Sequence, residues 1–136
     1  MAVKICVYGA GAIGGYLAAC LHDAGADVSL IARGPHLEAI QNHGLQLKIS
    51  GETRLYNLKA SNAPSDFGEQ DYIIIALKAH GITHITEEIK PLLGPNTAVV
   101  SAVNGLPWWY FFKANTNTDL DDKHLQSVDP DGKIWN

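Results

Sequence analysis

The sequence contains no run of lysine or arginine, and its net charge is small and acidic. Ten lysine and arginine residues stand against 14 aspartate and glutamate residues, for a formal net charge of −4. Because the basic residues are scattered, no stretch offers the concentrated positive potential that binds nucleic-acid backbones. We therefore expect no nucleic-acid partner.

Long hydrophobic runs are also missing. The run YIIIAL at 72–77 is strongly apolar but far too short to cross a bilayer. Near the N-terminus, Lys4 followed by ICVYGAGAIGGYLAACL loosely resembles a secretion signal, but four glycines interrupt it. A signal needs a smooth apolar helix there. The sequence therefore predicts no targeting segment and no membrane span.

Cysteine is scarce as well. Cys6 and Cys20 are the two cysteines of the chain, and their spacing matches no metal or redox motif. This usage is typical of a reduced, cytoplasmic protein. We expect both thiols to be small buried groups.

What the sequence does contain is a globular composition in which strand and helix patterns alternate. Apolar residues make up 46% of the 136 residues and charged residues 18%, which suits one domain with a real core. Short β-branched apolar runs predict buried strands at 3–8, 27–32, 71–77 and 97–103. The alternation favours an α/β fold with a mostly parallel sheet, wound with helices on both faces.

Three helices are predicted between these strands. Apolar residues at helical spacing indicate a helix over 12–24, through Leu17, Leu21 and Ala24, and another from 81, through Ile82, Ile85, Ile89 and Leu93. Pro35 opens a shorter helix that Gly44 follows. The segments LQLKI and TRLYNL, which flank Ser50-Gly51-Glu52, indicate a hairpin or two short strands.

The α/β pattern fades after Phe112. We predict one domain over 1–112 and a tail over 113–136. The tail begins with the polar segment KANTNTDLDDKH and contains the turn signal Asp-Pro-Asp-Gly at 129–132. It is expected to form a loop and a hairpin, with Trp135 packing back onto the domain.

The motif G-x-G-x-x-G lies between the first predicted strand and the first predicted helix. Gly9 would permit the tight turn, Gly11 would leave room for a pyrophosphate, and Gly14 would let the helix lie close to the strand. The anion would bind at the helix N-terminus. The alternative is a tight turn without a ligand. The candidate cofactor-binding residues are Gly9, Ala10, Gly11, Ala12, Ile13 and Gly14.

The end of the second strand bears on the choice of dinucleotide. NAD-binding units usually place Asp or Glu there to bind the ribose 2′-hydroxyl. This chain has IARGPH instead, with Arg33 where a 2′-phosphate would lie. A guanidinium suits phosphate, so NADPH is favoured over NADH. The alternative is that Arg33 is a solvated surface residue.

Two more polar residues follow predicted strands. Lys78 follows YIIIAL, and Asn104, with Gly105, follows TAVVSAV. Ligands of such sheets bind at the carboxyl edge, so both are candidate cofactor-binding and catalytic residues. Alternatively, Lys78 only reaches solvent and Asn-Gly only forms a turn.

Other motifs predict less. His80 and His84 are four residues apart, but no carboxylate or cysteine completes a ligand set, so no metal site is predicted. The aromatic run WWYFF at 108–112 could line a nicotinamide site, but such clusters more often form core or interface.

Together these segments resemble the ketopantoate reductases (2-dehydropantoate 2-reductases). The resemblance rests on KICVYGAGAIGGYLA, LIARGPHLEAIQNHGLQL, IIIALKAH and VSAVNGLPW, in that order and spacing, and runs from about Val3 to Phe112. It implies an N-terminal Rossmann domain followed by a helical C-terminal domain. It also implies NADPH-dependent reduction of ketopantoate to pantoate, on the route to pantothenate and coenzyme A.

The resemblance implies roles for matched residues. The glycine loop would bind the pyrophosphate and Arg33 the 2′-phosphate. Lys78 matches the family lysine near the cofactor and active site, and Asn104 matches the asparagine near the nicotinamide and substrate.

In the family the general-acid lysine lies in the helical C-terminal domain, which we expect to be absent from this chain. The chain would then supply the cofactor-binding half of an enzyme that acts on a small 2-oxo acid, and would be inactive alone. The alternative is a non-catalytic NADPH-binding module, or a truncated relic, that acts through a partner or through self-association. On either interpretation, the expected protein partner is a second copy of the chain in a homo-oligomer, or the missing C-terminal half.

Overall fold

The computed structural model describes all residues of the chain, Met1–Asn136. Two α-helices are present, α1 over Ala12–Asp23 and α2 over Gly34–His43. The strands are β1 Lys4–Tyr8, β2 Asp27–Ile31, β3 Leu45–Ile49, β4 Glu52–Tyr56, β5 Lys59–Ser61, β6 Tyr72–Ile75 and β7 Ala98–Ser101. Short 3-10 helices span Pro64–Asp66, Ala79–His84, Lys90–Leu92 and Pro130–Gly132.

Five strands form one sheet in the order β5-β2-β1-β6-β7, and every pair in it is parallel. β3 and β4 form a separate antiparallel hairpin, which is one of the two arrangements that the sequence indicated. The strand order reverses beside β1, so the crevice outside the carboxyl ends of β1 and its neighbours is the expected ligand site of a doubly wound sheet. The predicted α/β, Rossmann-type fold is confirmed.

Side chains of the sheet alternate between two cores. Val7 and Leu30 face α1, α2 and the hairpin, in a cluster that includes Leu45 and Tyr56. Cys6, Tyr8, Ile73 and Ile75 point to the opposite face. There they pack against Ile82, Ile85, Ile89 and Leu92. This alternation follows from the period of two along a strand.

Helix α1 buries small residues. Its buried positions are Gly14, Gly15, Ala18 and Ala19, whereas Leu17 and Leu21 are half-buried and Ala24 is exposed. A face without large side chains lets the helix axis approach the sheet closely. The predicted helix is therefore present, and its most buried face is the one formed by small residues.

The predicted helix from residue 81 is not an α-helix. The segment forms 3-10 turns over Ala79–His84 and Lys90–Leu92, closed by hydrogen bonds such as Ile85 N–H to Ile82 O and Leu93 N–H to Lys90 O. Its β-branched residues and Pro91 are poor helix formers. The apolar spacing still buries Ile82, Ile85 and Ile89, but Leu92 is buried in place of Leu93.

The edges of the sheet differ from the sequence prediction. β5 was not predicted, because its three residues, KAS, carry no apolar run. β7 was predicted to be buried, yet all four of its residues are exposed, because β6 is the one element that packs closely against it.

The tail contains turns and no strand, so the predicted hairpin was wrong. The Asp129 carboxylate is fully buried and accepts the backbone N–H groups of Ile134 and Trp135, which folds the segment into a loop. Trp135 does pack back, edge-on against Trp108 and Phe112. The domain boundary at Phe112 stays a prediction.

Only one of the two cysteines is buried. Cys6 lies in the core, where burial raises the pKa of its thiol to about 11, whereas Cys20 is exposed on α1. The prediction of two buried thiols was therefore wrong for Cys20. No helix is both long enough and apolar enough to span a membrane.

The two helical glycines at the start of α1 should respond differently to alanine. A Cβ on Gly14 would collide with the Gly9 carbonyl oxygen, whereas one on Gly15 would meet Leu45 Cδ1 at 3.5 Å, an ordinary contact. We expect Gly14→Ala to lower the free energy of unfolding by about 1–3 kcal/mol. Gly15→Ala, the matched control, should raise it by up to about 1 kcal/mol. Urea unfolding followed by circular dichroism measures both; equal effects would contradict the close approach.

Thiol labelling at neutral pH tests the positions of the cysteines. We expect the exposed Cys20 to react rapidly with an aromatic disulfide reagent and Cys6 to react only after unfolding, because its thiol is protonated and enclosed. The Cys20→Ser variant should lose the rapid phase. A rapid phase that survives in this variant would contradict the burial of Cys6.

Candidate cofactor site

The glycine loop connects β1 to α1, and two of its glycines are required by the fold itself. Gly9 has φ +115°, and a Cβ there would lie 2.8 Å from the Ala76 carbonyl oxygen at the end of β6. Gly14 faces the Gly9 carbonyl so closely that no Cβ fits. Their tasks, a tight turn and a close helix approach, are those expected from the motif.

Gly11 is different, because neither its conformation nor its packing requires glycine. Its φ of −68° and ψ of −174° are open to any residue, and a Cβ there would meet no atom within 4 Å. The space beside Gly11 is part of a cavity of about 610 Å³. The absence of a side chain at Gly11 therefore widens this cavity. Neither the backbone conformation nor the packing of the fold requires glycine at this position.

The first turn of α1 directs free backbone donors to the same place. The N–H of Gly9 donates to Ile31 O and that of Gly15 to Gly11 O. The N–H groups of residues 12–14 lie at the helix N-terminus, have no intrahelical acceptor and make no other backbone hydrogen bond. With the helix dipole they form a site for an anion. The Ile13 side chain itself is exposed and contributes only its backbone.

The cavity is bounded by the glycine loop, the end of β2 and the segment after β6. Gly9, Ala10, Gly11 and Ala12 line one side, and Arg33, His36, Lys78 and His84 also line it. Two cationic side chains, Arg33 and Lys78, thus border a cavity that also receives the helix N-terminus. This combination suits a ligand with several anionic groups.

His36 is a residue of this site that sequence reasoning missed. It lies on α2, three residues after Arg33, and its Nε2–H donates to the Ala10 carbonyl at 2.7 Å. The bond ties the glycine loop to α2. The spacing RGPH could have suggested a side chain near the loop, but no sequence pattern reveals its acceptor.

Arg33 is the N-cap residue of α2, and its guanidinium has a carboxylate partner. Its Nη2 donates to Glu88 Oε2 at 2.7 Å, and the Tyr8 hydroxyl donates to the same oxygen at 2.9 Å. Burial first, and Glu88 second, raise the pKa of Tyr8 to about 12, so its hydroxyl stays a donor at neutral pH. Neither Tyr8 nor Glu88 was a candidate from the sequence.

Lys78 and Asn104 follow paired strands but do not line the same cavity. Lys78 is the N-cap residue of the 3-10 helix after β6 and lines the cavity of the glycine loop. Asn104 follows β7 and lines a smaller cavity of about 140 Å³, beside Ala79 and Trp108. The structure thus brings Arg33 and Lys78 to the cavity of the glycine loop and places Asn104 in a separate, smaller cavity.

The aromatic run at 108–112 does not line the glycine-loop cavity. Trp108 and Trp109 pack edge-to-face with ring centroids 5.3 Å apart, and Trp108 also contacts Trp135. The run therefore packs against the tail. His80 and His84 belong to no group of three or more side chains that could ligate a metal.

Comparison with known proteins agrees with this geometry. The family model of ketopantoate reductase PanE/ApbA matches residues 5–107. A 2-dehydropantoate 2-reductase of Mesorhizobium japonicum is 49% identical over 134 residues, which is 98% of this chain and 40% of the relative.

Solved structures show the same fold. A Ralstonia solanacearum protein provisionally described as a ketopantoate reductase superposes with a TM-score of 0.89 at 42% identity, over 98% of this chain and 41% of the other. A D-mandelate dehydrogenase solved with NADH and anilino(oxo)acetate has a TM-score of 0.71 at 30% identity, over 77% of this chain and 35% of the other.

The chain spans about 40% of the length of the Mesorhizobium relative and of the Ralstonia protein. The match covers the strands, helices and loop that build the cavity. On the family match over residues 5–107 and this shared fold, the chain belongs to the ketopantoate reductase PanE/ApbA family of oxidoreductases.

Proposed function

We propose that this chain is the NADPH-binding part of a reductase that converts 2-dehydropantoate to pantoate. The observation that carries the proposal is Gly11. Its missing side chain serves neither the backbone nor the packing, and it opens the cavity that Arg33 and Lys78 border. Space, free N–H groups and two cations in one place are what a dinucleotide phosphate requires.

The residues present fit NADPH. The N–H groups of residues 12–14 would bind the pyrophosphate, next to Gly11. Arg33, at the carboxyl end of β2, would bind the 2′-phosphate, and its exposed side chain can reach a ligand. Lys78 would add a second cation at the edge of the cavity.

When bound, NADPH supplies the hydride that reduces the ketone, and the chain's own residues position the reactants. Lys78 and Asn104, after the paired strands β6 and β7, would orient the nicotinamide and the substrate carbonyl. The general acid that protonates the developing alkoxide would be the lysine that the family resemblance implies in the helical C-terminal domain. This chain alone would then bind cofactor with little or no turnover.

The substrate proposal rests on the relatives named 2-dehydropantoate 2-reductase. A chimera tests it, in which this chain replaces the matching segment of the Mesorhizobium relative. We expect the chimera to oxidise NADPH when 2-dehydropantoate is added. A chimera that folds and binds NADPH but gives no such oxidation would contradict the substrate, and the unmodified relative is its control.

A second candidate function is favoured by the exposed edge of the sheet. Val99 and Val100 of β7 are 50% and 44% exposed, and Tyr110 and Phe112 are also exposed. An uncovered strand edge with apolar neighbours favours association. The chain would then act as an NADPH-binding module with a partner or a second copy. A monomer by sedimentation that binds NADPH without a partner would count against this function.

Substituting Gly11 separates binding from folding. We expect Gly11→Ala to lower the affinity for both NADPH and NADH about tenfold or more, because its Cβ enters the pyrophosphate site. The free energy of unfolding should change by less than about 1 kcal/mol, the difference between Gly and Ala as N-caps. Calorimetric titration and urea unfolding measure the two effects. If the affinity for both nucleotides is unchanged, the loop does not bind the pyrophosphate and serves only as a turn.

Substituting Arg33 tests the 2′-phosphate. Arg33→Ala should weaken NADPH binding roughly tenfold or more, because a charge-assisted hydrogen bond is lost. NADH binding should change less than about threefold. Arg54→Ala is the matched control, since Arg54 is similarly exposed but lies on the hairpin. Equal losses for NADPH and NADH would contradict the assignment.

A further inference from the structure

Arg33, the residue proposed to bind the 2′-phosphate, already has an anionic partner in the chain. Glu88 reaches it from the segment between β6 and β7, 55 residues further along the sequence. The same Glu88 oxygen accepts the Tyr8 hydroxyl, so two donors hold the carboxylate beside the guanidinium. The carboxylate lies where the guanidinium would otherwise be open to a ligand anion.

The Glu88 carboxylate also bears on the binding of NADH. Units that bind NADH usually supply an acid from the end of β2 to accept the ribose 2′-hydroxyl. Here β2 ends in Ile31 and leads to Arg33, so that acid is missing. Glu88 brings a carboxylate to the same guanidinium from another element. One site therefore holds both a donor for a 2′-phosphate and an acceptor for a 2′-hydroxyl.

Arg33 also stands between two cavities. It lines the glycine-loop cavity of about 610 Å³ and a polar groove of about 420 Å³ that includes Glu87, Glu88 and Asn62. A ligand group next to the guanidinium would therefore meet the Glu88 carboxylate.

We infer that Glu88 sets the choice between NADPH and NADH by competing with the 2′-phosphate for Arg33 and by accepting the 2′-hydroxyl of NADH. The inference rests on the proposed function, since it concerns the same cofactor site. A 2′-phosphate must displace Glu88 or lie beside a like charge, which weakens NADPH binding. NADH brings a neutral hydroxyl that donates to the carboxylate and leaves the ion pair intact.

The expected change in nucleotide affinity is modest, because the side chains of Arg33 and Glu88 are partly exposed to solvent. The side chains of Arg33 and Glu88 are 61% and 46% exposed, so water and salt screen their charges. We expect the substitution Glu88→Gln, which keeps the shape and removes the charge, to tighten NADPH binding roughly three- to tenfold. NADH binding should stay the same or weaken up to about threefold. The ratio of the two affinities therefore shifts towards NADPH.

The experiment is a calorimetric titration of the chain and its variants with NADPH and with NADH. Glu87→Gln is the matched control, because it removes the same charge one residue away, where the carboxylate pairs with Lys90 instead of Arg33. Thermal unfolding of each variant confirms that it is folded. We expect the affinity ratio to shift in Glu88→Gln and not in Glu87→Gln.

An unchanged ratio in Glu88→Gln, an equal shift in both variants, or a shift towards NADH would each overturn the inference while the cofactor site stands. If the unsubstituted chain binds neither nucleotide, the proposed function itself fails, and the inference fails with it. Repeating the titration at higher salt adds a check, since an electrostatic shift should shrink as the Debye length falls.

Discussion

The close approach of α1 to the turn after β1 is the constraint on which the rest of the site depends. Gly14 lies against the Gly9 carbonyl with no room for a Cβ, and Gly9 itself is pressed against the carbonyl of Ala76. The small buried face of α1, with Ala18 and Ala19, continues this contact along the helix. Because the helix starts so close to the sheet, its free N–H groups open directly onto the crevice at the carboxyl edge.

Charge at that crevice is arranged around two cations that come from different elements. Arg33 begins α2, and Lys78 begins the 3-10 segment after β6. The parallel order of β2, β1 and β6 brings the ends of these strands to one edge. Glu88 and Tyr8 then hold Arg33 in place, and His36 holds the glycine loop. The positive charge is thus oriented and partly neutralised within the chain itself.

The sequence predicted those parts of the site that depend on residues close together in the chain. The glycine spacing, the strand before it and the helix after it identified the loop, and the end of β2 identified Arg33. The segment over 79–92 was harder, because apolar spacing indicates which residues are buried but not whether the turns are α or 3-10. The exposure of the β7 side chains could not be predicted either, since it depends on which elements pack against the strand.

Contacts between distant residues were not predictable from the sequence. Glu88 is 55 residues from Arg33, and 80 from Tyr8, so only the fold brings them together. Likewise the separation of Asn104 from the cavity of Lys78 depends on the path of the chain after β7. A single sequence carries no signal for such pairs, whereas it carries a strong one for a strand–loop–helix unit.

The central claim is that the amides at the start of α1 bind the pyrophosphate of NADPH. Nuclear magnetic resonance of the ¹⁵N-labelled chain tests it most directly, through the amide signals of Gly11, Ala12, Ile13 and Gly14 during titration with NADPH. We predict that these signals shift strongly, while those of the hairpin over Leu45–Tyr56 stay in place. Signals at residues 11–14 that remain unmoved while others shift, or no shift anywhere, would contradict the account.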